Sequence, residues 1–284
     1  MKTVPTYSSN EGEGYFEIIR LKERNSYDFS KAHKHSYFEI FLFEKGGGFH
    51  EINFDKYSIE SNSIHFVFPN KIHKVKRELD TCGYVILVSK EYLEKVNYKL
   101  YTSLFSLYYL EPILNIDSSK FSNIIEIINK IAEEKFKSDF HSKEIIESYI
   151  RILFNHFLRI KENLGFIGEQ KESEFTVFIN FLILVENHFL EHNLIQFYTN
   201  KLNITGRKLN SLCKQFKNCT GTKLIKERMV LEAKMMLINT DFQIKNIVYS
   251  LNYDDIANFN KFFKSYAGVS PSQFRIDYLN SKEQ

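Results

Sequence analysis

The 284-residue chain has no tryptophan, four prolines, eleven glycines and three cysteines. So little proline and glycine excludes collagen-like and low-complexity architectures. Cys82, Cys213 and Cys219 fit neither a disulfide framework nor a zinc spacing, and read as reduced thiols of a cytoplasmic protein. Long apolar runs are also missing. The longest uncharged stretches, Leu100–Leu110 and Phe175–Val185, span eleven residues each, whereas a membrane helix needs about 20. The opening MKTVPTYSSNEGEG lacks the apolar core of a secretory signal. What is present is an ordinary globular composition, 43% hydrophobic and 26% charged, at a length that suits two domains.

The net charge of +3 is unevenly placed. Residues 1–171 hold 24 Lys/Arg against 24 Asp/Glu, and residues 172–284 hold 14 against 11. Thr199–Lys226 carries Lys201, Arg207, Lys208, Lys214, Lys217, Lys223 and Lys226 and no acidic residue. Such a patch suits a polyanion, although a solvated helix face has the same composition.

An internal repeat is more specific. Leu209–Thr220 aligns with Phe259–Ser270 at an offset of 50. Leu209, Leu212 and Phe216 match Phe259, Phe262 and Tyr266, the spacing of a buried helical stripe. Thr205 and Asp255 are suited to N-caps, and Asn218 and Gly268 to left-handed C-termini. A short apolar segment and an asparagine turn precede each copy, at Ile195–Asn203 and Ile244–Asn252. Short helix, turn and longer helix is the helix-turn-helix arrangement. Between the copies, Lys223–Ile238 reads as one helix, about 24 Å long at about 1.5 Å per residue. It could hold two reading helices roughly one DNA turn, about 34 Å, apart.

The stretches LNITGRKLNSLCKQF, ERMVLEAKMML, NTDFQIKNIVYSLNY and DDIANFNKFFKSYAGVSPSQFR resemble the AraC/XylS family of bacterial transcription regulators over about Phe175–Tyr278. Gly206 and Ile256 stand where many members have proline, and Asn218 where glycine is usual. The resemblance implies that both second helices enter successive major grooves of double-stranded DNA. Arg207, Lys208, Asn210 and Ser211, with Ala257, Asn258 and Lys261, are then the candidates for base contact. Lys214 and Lys264 are candidates for phosphate neutralisation.

Residues 15–90 alternate with a period of two. Tyr37–Phe43, Phe49–Phe54, Ser63–Pro69 and Tyr84–Val88 read as strands separated by turn signals, which predicts a sandwich or barrel. His33, His35 and Glu39, with Gly46, resemble the first cupin motif, and His73 resembles the histidine of the second, one residue short in spacing. On a strand, positions 33, 35, 37 and 39 share a face. Such a donor set suits iron, manganese or zinc. The family's sensor barrels keep a similar stretch and usually hold no metal. The expectation is therefore no metal and no cofactor, with His33, His35, Tyr37, Glu39 and His73 lining a pocket for a small-molecule effector of unknown identity. A rival reading is a metal-dependent cupin enzyme with His33, His35, Glu39 and His73 as ligands. A third is a regulator that needs no ligand. His50 and His65 read as structural.

Phe121, Ile124, Ile125, Ile128 and Ile131, and then Ile145, Ile146, Tyr149, Ile150, Leu153 and Phe157, form two helical stripes that cover the barrel or pair two chains. Lys161–Ser173 reads as a linker. The expected fold class is α+β: a cupin-like sensor barrel over 1–90, a helical dimerisation segment and linker over 91–170, and an all-α tandem helix-turn-helix domain over 171–284. The expected protein is a non-enzymatic, cytoplasmic, homodimeric regulator. Its expected partners are DNA, an effector and RNA polymerase, and it makes no membrane contact.

Overall fold

The computed structural model describes residues 6–7, 14–22, 31–137, 139–163, 172–238 and 242–280. Most of the expected linker, residues 164–171, lies outside the described residues. The chain divides into two compact units, Pro5–Gly168 and Glu169–Gln284.

In the first unit the strands are β1 (Thr6–Tyr7), β2 (Phe16–Leu21), β3 (Lys34–His35), β4 (Phe38–Lys45), β5 (Gly48–Ile52), β6 (Asp55–Ser58), β7 (Ser63–Val67), β8 (His73–Arg77), β9 (Cys82–Val88) and β10 (Ile113–Asn115). They form an antiparallel sheet in the order β10-β7-β4-β9-β2, a three-stranded sheet β6-β5-β8, and a parallel pair β1-β3. The sequence pattern marks β4, β5, β7 and β9 most clearly. Edge strand β6 is short and mostly exposed, so burial imposes little pattern on its residues.

Register decides which side chains face inward. Glu39, Phe41 and Phe43 of β4 lie opposite Val67, His65 and Ser63 of β7. Because strand side chains alternate, all six share one face. Phe41, Phe43, Val67, Val85 and Leu87 from the large sheet pack with Ile52 and Val75 from the small one, so the two inner faces enclose a common core. Strict alternation fails in the centre: every residue of β7 and the first six of β4 are buried. The outer face is covered too, with Phe66 edge-on to Phe157 at 5.7 Å. A strand covered on both sides reads as continuous apolar sequence.

That cover comes from helices α1 (Lys90–Leu110), α2 (Ser118–Lys137) and α3 (Ser142–Asn163). Phe121, Ile124, Ile128 and Ile131 of α2 and Ile150, Leu153 and Phe157 of α3 are buried within the unit. Ile145 at the start of α3 remains exposed. Among the described residues no helix is long and apolar enough to cross a membrane.

The second unit is all helical: α4 (Glu172–His188), α5 (Ile195–Leu202), α6 (Gly206–Lys217), α7 (Gly221–Leu237), α8 (Ile244–Ser250), α9 (Ile256–Ala267) and α10 (Pro271–Asn280). Helix α7 is the long central helix, its N-terminus capped by the Thr220 hydroxyl, which accepts the Lys223 amide proton at 3.3 Å. Val230, Ala233 and Leu237 of α7 pack with Ile247, Val248, Leu251, Phe259 and Phe263. At the far end, Arg275 of α10 donates to the carbonyls of Leu237 and Phe242, at 2.8 and 2.7 Å. It thereby satisfies a carbonyl of the last turn of α7.

Candidate functional site

Two places gather functional chemistry. The first is the pair α6 and α9. The preceding turns carry Asn203 and Asn252 at φ 52° and 58°, the left-handed region that asparagine tolerates. At the helix starts the Thr205 hydroxyl accepts the Lys208 amide proton at 3.2 Å, and the Asp255 carboxylate accepts that of Ala257 at 2.8 Å. Asn218 and Gly268 end the helices at φ 50° and 80°. Leu209, Leu212 and Cys213 of α6 and Phe259 and Phe263 of α9 are fully buried. The deeply buried partner in α9 is therefore Phe263, the counterpart of Cys213, while Phe262 is half-buried and stacked on Tyr253 at 5.3 Å.

The opposite faces are exposed. Arg207, Ser211 and Lys214 on α6 and Ala257, Asn258, Lys261 and Lys264 on α9 are all solvent-facing, as are all seven basic residues of Thr199–Lys226. Two of the sequence-selected residues are engaged inside the unit. Lys208 pairs with Glu174 of α4. Asn210 is half-buried, and its carboxamide oxygen accepts the Gly221 amide proton at 3.0 Å. That bond ties α6 to the first turn of α7, a relationship that the helical spacing does not disclose. Arg228 is a further missed residue. It is buried on α7, donating to Glu186 of α4 at 2.9 Å and to Glu232 at 3.0 Å, with its guanidinium 3.9 Å from the Phe189 ring centroid. An uninterrupted helical pattern marks it only as one more charge.

The second place is the barrel interior, where His33, His35, Tyr37, Glu39 and His73 come together. Backbone hydrogen bonds between His33 and His73, at 3.0 and 2.9 Å, hold the His33 segment beside β8. His35 Nε2, His73 Nε2 and Glu39 Oε2 lie 3.1 Å from one another, pairwise. His33 completes a buried group whose ligand-type atoms all fall within 4.8 Å. The Tyr37 ring lies parallel to the His35 ring at 4.2 Å, and its carbonyl accepts from His35 Nδ1 at 2.7 Å.

His50 and His65 extend this cluster, a role their isolated positions in the sequence do not signal. His50 Nε2 is 3.2 Å from His73 Nδ1, and the Nδ1 atoms of His50 and His65 are 3.1 Å apart. The rings of His50 and His65 are nearly parallel with centroids 5.3 Å apart. Burial lowers the pKa of His65 to about 3 and holds those of His50 and His73 well below the usual imidazole range. The signal that could have found them is the strand register, which sets His65 beside Phe41 on the inner face.

Residues 198–276 match the model of a helix-turn-helix domain, and residues 15–102 match that of an AraC-like ligand binding domain. The HTH-type transcriptional activator RhaS of Escherichia coli is 20% identical over 250 residues, 86% of each chain. A structure of unsaturated fatty acid-bound ToxT from Vibrio cholerae is 16% identical, covering 94% of this chain and 96% of that one with a TM-score of 0.42. The AraC-like transcriptional activator CuxR is 11% identical, covering 69% and 66%, with a TM-score of 0.35.

Proposed function

Since the chain belongs to the AraC/XylS family of transcription regulators, with a ligand-binding barrel ahead of its helix-turn-helix region, we propose that α6 and α9 read successive major grooves of one operator. Arg207 and Ser211 on α6 and Ala257, Asn258 and Lys261 on α9 meet base edges. Arginine can fork onto guanine, asparagine can bridge adenine, and the alanine methyl can meet thymine. Lys214 and Lys264 neutralise phosphates and set register. Lys208 exchanges the Glu174 carboxylate for a DNA oxygen, and Asn210 holds α6 against α7.

The observation that supports this best is the shared construction of the two helices. Each is capped at the end that would enter a groove, buries one apolar stripe and exposes a polar face. Effector binding in the barrel shifts the population able to engage DNA. The protein acts as a cytoplasmic homodimer that also contacts RNA polymerase, and it works by binding, not catalysis.

The test is binding of the full chain to an operator selected from random DNA, followed by anisotropy across a salt series. The slope of log K against log [salt] is expected near −0.9 per phosphate neutralised, about −5 for six contacts. A flat plot would sink the reading.

A further inference from the structure

Inside the barrel, the hydrogen bonds have only one consistent direction. Ser63 Oγ–H donates to the Glu60 carbonyl at 2.6 Å, because a carbonyl can only accept. The Ser63 oxygen therefore accepts from His65 Nε2–H at 3.2 Å. One N–H on each of His65, His50 and His73 is the arrangement that satisfies every contact in this row. The bare His65 Nδ1 accepts from His50 Nδ1–H, and the bare His50 Nε2 accepts from His73 Nδ1–H. The relay ends in a lone pair on His73 Nε2. On the other side, His35 Nδ1–H donates to the Tyr37 carbonyl, which turns Nε2 inward. His33 Nδ1–H donates to the Lys31 carbonyl at 3.0 Å, again directing lone-pair character to Nε2.

Three electron-rich atoms thus converge at 3.1 Å: His35 Nε2, His73 Nε2 and Glu39 Oε2. A single proton can bridge one edge of this triangle. A cation above its centre serves all three. At about 2.1 Å from each atom, the usual imidazole and carboxylate distance, an ion would see ligand–metal–ligand angles of about 95°. That is close to the facial tripod of an octahedral two-histidine, one-carboxylate site. The second ring nitrogens of the three histidines are engaged by two carbonyls and His50, the outer-shell pattern that fixes tautomers in metal sites.

We propose that the barrel binds one divalent first-row transition-metal ion through His35, His73 and Glu39, with His33 as a fourth ligand. The His50–His65–Ser63 relay holds His73 in its metal-binding tautomer. His50 touches no metal and is a positioning residue. The site stands on the barrel's geometry; that the ion is the effector rests on the regulatory function proposed above.

The test uses the full chain stripped with a chelator and titrated with Mn(II), with the loss of the free-ion electron paramagnetic resonance signal as the readout. One Mn(II) per chain is expected, displaced by one equivalent of Zn(II), with spin-echo modulation from imidazole nitrogen in the unmutated protein. Glu39→Gln and His73→Asn should each weaken binding at least 100-fold. His50→Phe should weaken it about 10- to 100-fold, and His50→Gln, whose carboxamide oxygen can still accept from His73 Nδ1–H, should restore it. No stoichiometric binding to the unmutated chain, or binding unchanged in folded Glu39→Gln protein, overturns the site. Operator binding is measured separately, on both the stripped and the Mn(II)-loaded chain. Mn(II) binding without any operator binding upholds the site and counts against the regulatory reading, and the reverse result counts against the site.

Discussion

Arg228 of α7 and Glu186 of α4 lie 2.9 Å apart with both side chains nearly shut off from solvent, at 7% and 11% exposure. Glu232 accepts a second bond from the same guanidinium. Removing one partner of such a pair strands a buried charge, which typically costs about 3–5 kcal/mol. Arg228→Ala should therefore destabilise the second unit by about 3 kcal/mol or more in urea denaturation followed by circular dichroism. Arg228→Met should lose less, since its stem still packs on Phe189. Equal stability of Arg228→Ala and the unaltered chain would show that the pair contributes nothing.

Arg207 and Asn210 are three residues apart on α6 and should fail in different ways. Arg207 is exposed, so Arg207→Ala should weaken operator binding by about 1–3 kcal/mol and leave the melting temperature alone. Asn210→Ala deletes the bond to Gly221 and should cost about 1 kcal/mol of stability. Paired anisotropy and thermal melts separate the two. The assignment is reversed if Asn210→Ala changes base preference without loss of stability.

Gly206 and Gly221 open α6 and α7. A Cβ at Gly206 would meet nothing within 4 Å, whereas one at Gly221 would lie 3.0 Å from Ile195 Cδ1. Gly206→Ala should stabilise by about 0.5–1 kcal/mol, by restricting the unfolded chain and favouring the helix. Gly221→Ala should destabilise by about 1 kcal/mol, through overpacking against Ile195. Denaturation midpoints that move the same way in both variants would contradict this.

His65 links stability to pH. Its pKa is about 3 in the folded chain because of burial, against about 6.5 when unfolded. Between those values the unfolded chain binds a proton that the folded chain refuses. The stabilisation is complete above pH 6.5 and falls as pH drops toward 3, by up to about 1.4 kcal/mol per unit. Urea denaturation at pH 7, 6 and 5 should show a steeper loss for the unaltered chain than for His65→Gln. Parallel losses would mean that His65 does not drive the dependence.

The α6 and α9 helices were legible because their determinants are local. Thr205, Asp255, Asn218 and Gly268 act on amides and turns within a few residues, and the buried positions recur every three or four. Strands β4, β5, β7 and β9 were also legible, as β-branched and aromatic runs bounded by turn signals. Less accessible were the both-sided burial of β4 and β7, and the partners of Asn210 and Arg228. These depend on segments packed from elsewhere in the chain.

The amino-acid order alone thus determined the α+β class, the duplicated helix-turn-helix pattern and the presence of a histidine–glutamate motif, since each is written in neighbouring residues. Only the tertiary structure decided that His50 and His65 continue that motif. They sit on β5 and β7, and it is the folding of two sheets around one core that brings His65, His50 and His73 into a single file. A proton's position on one ring is set by the next ring in space, and no stretch of sequence carries that information.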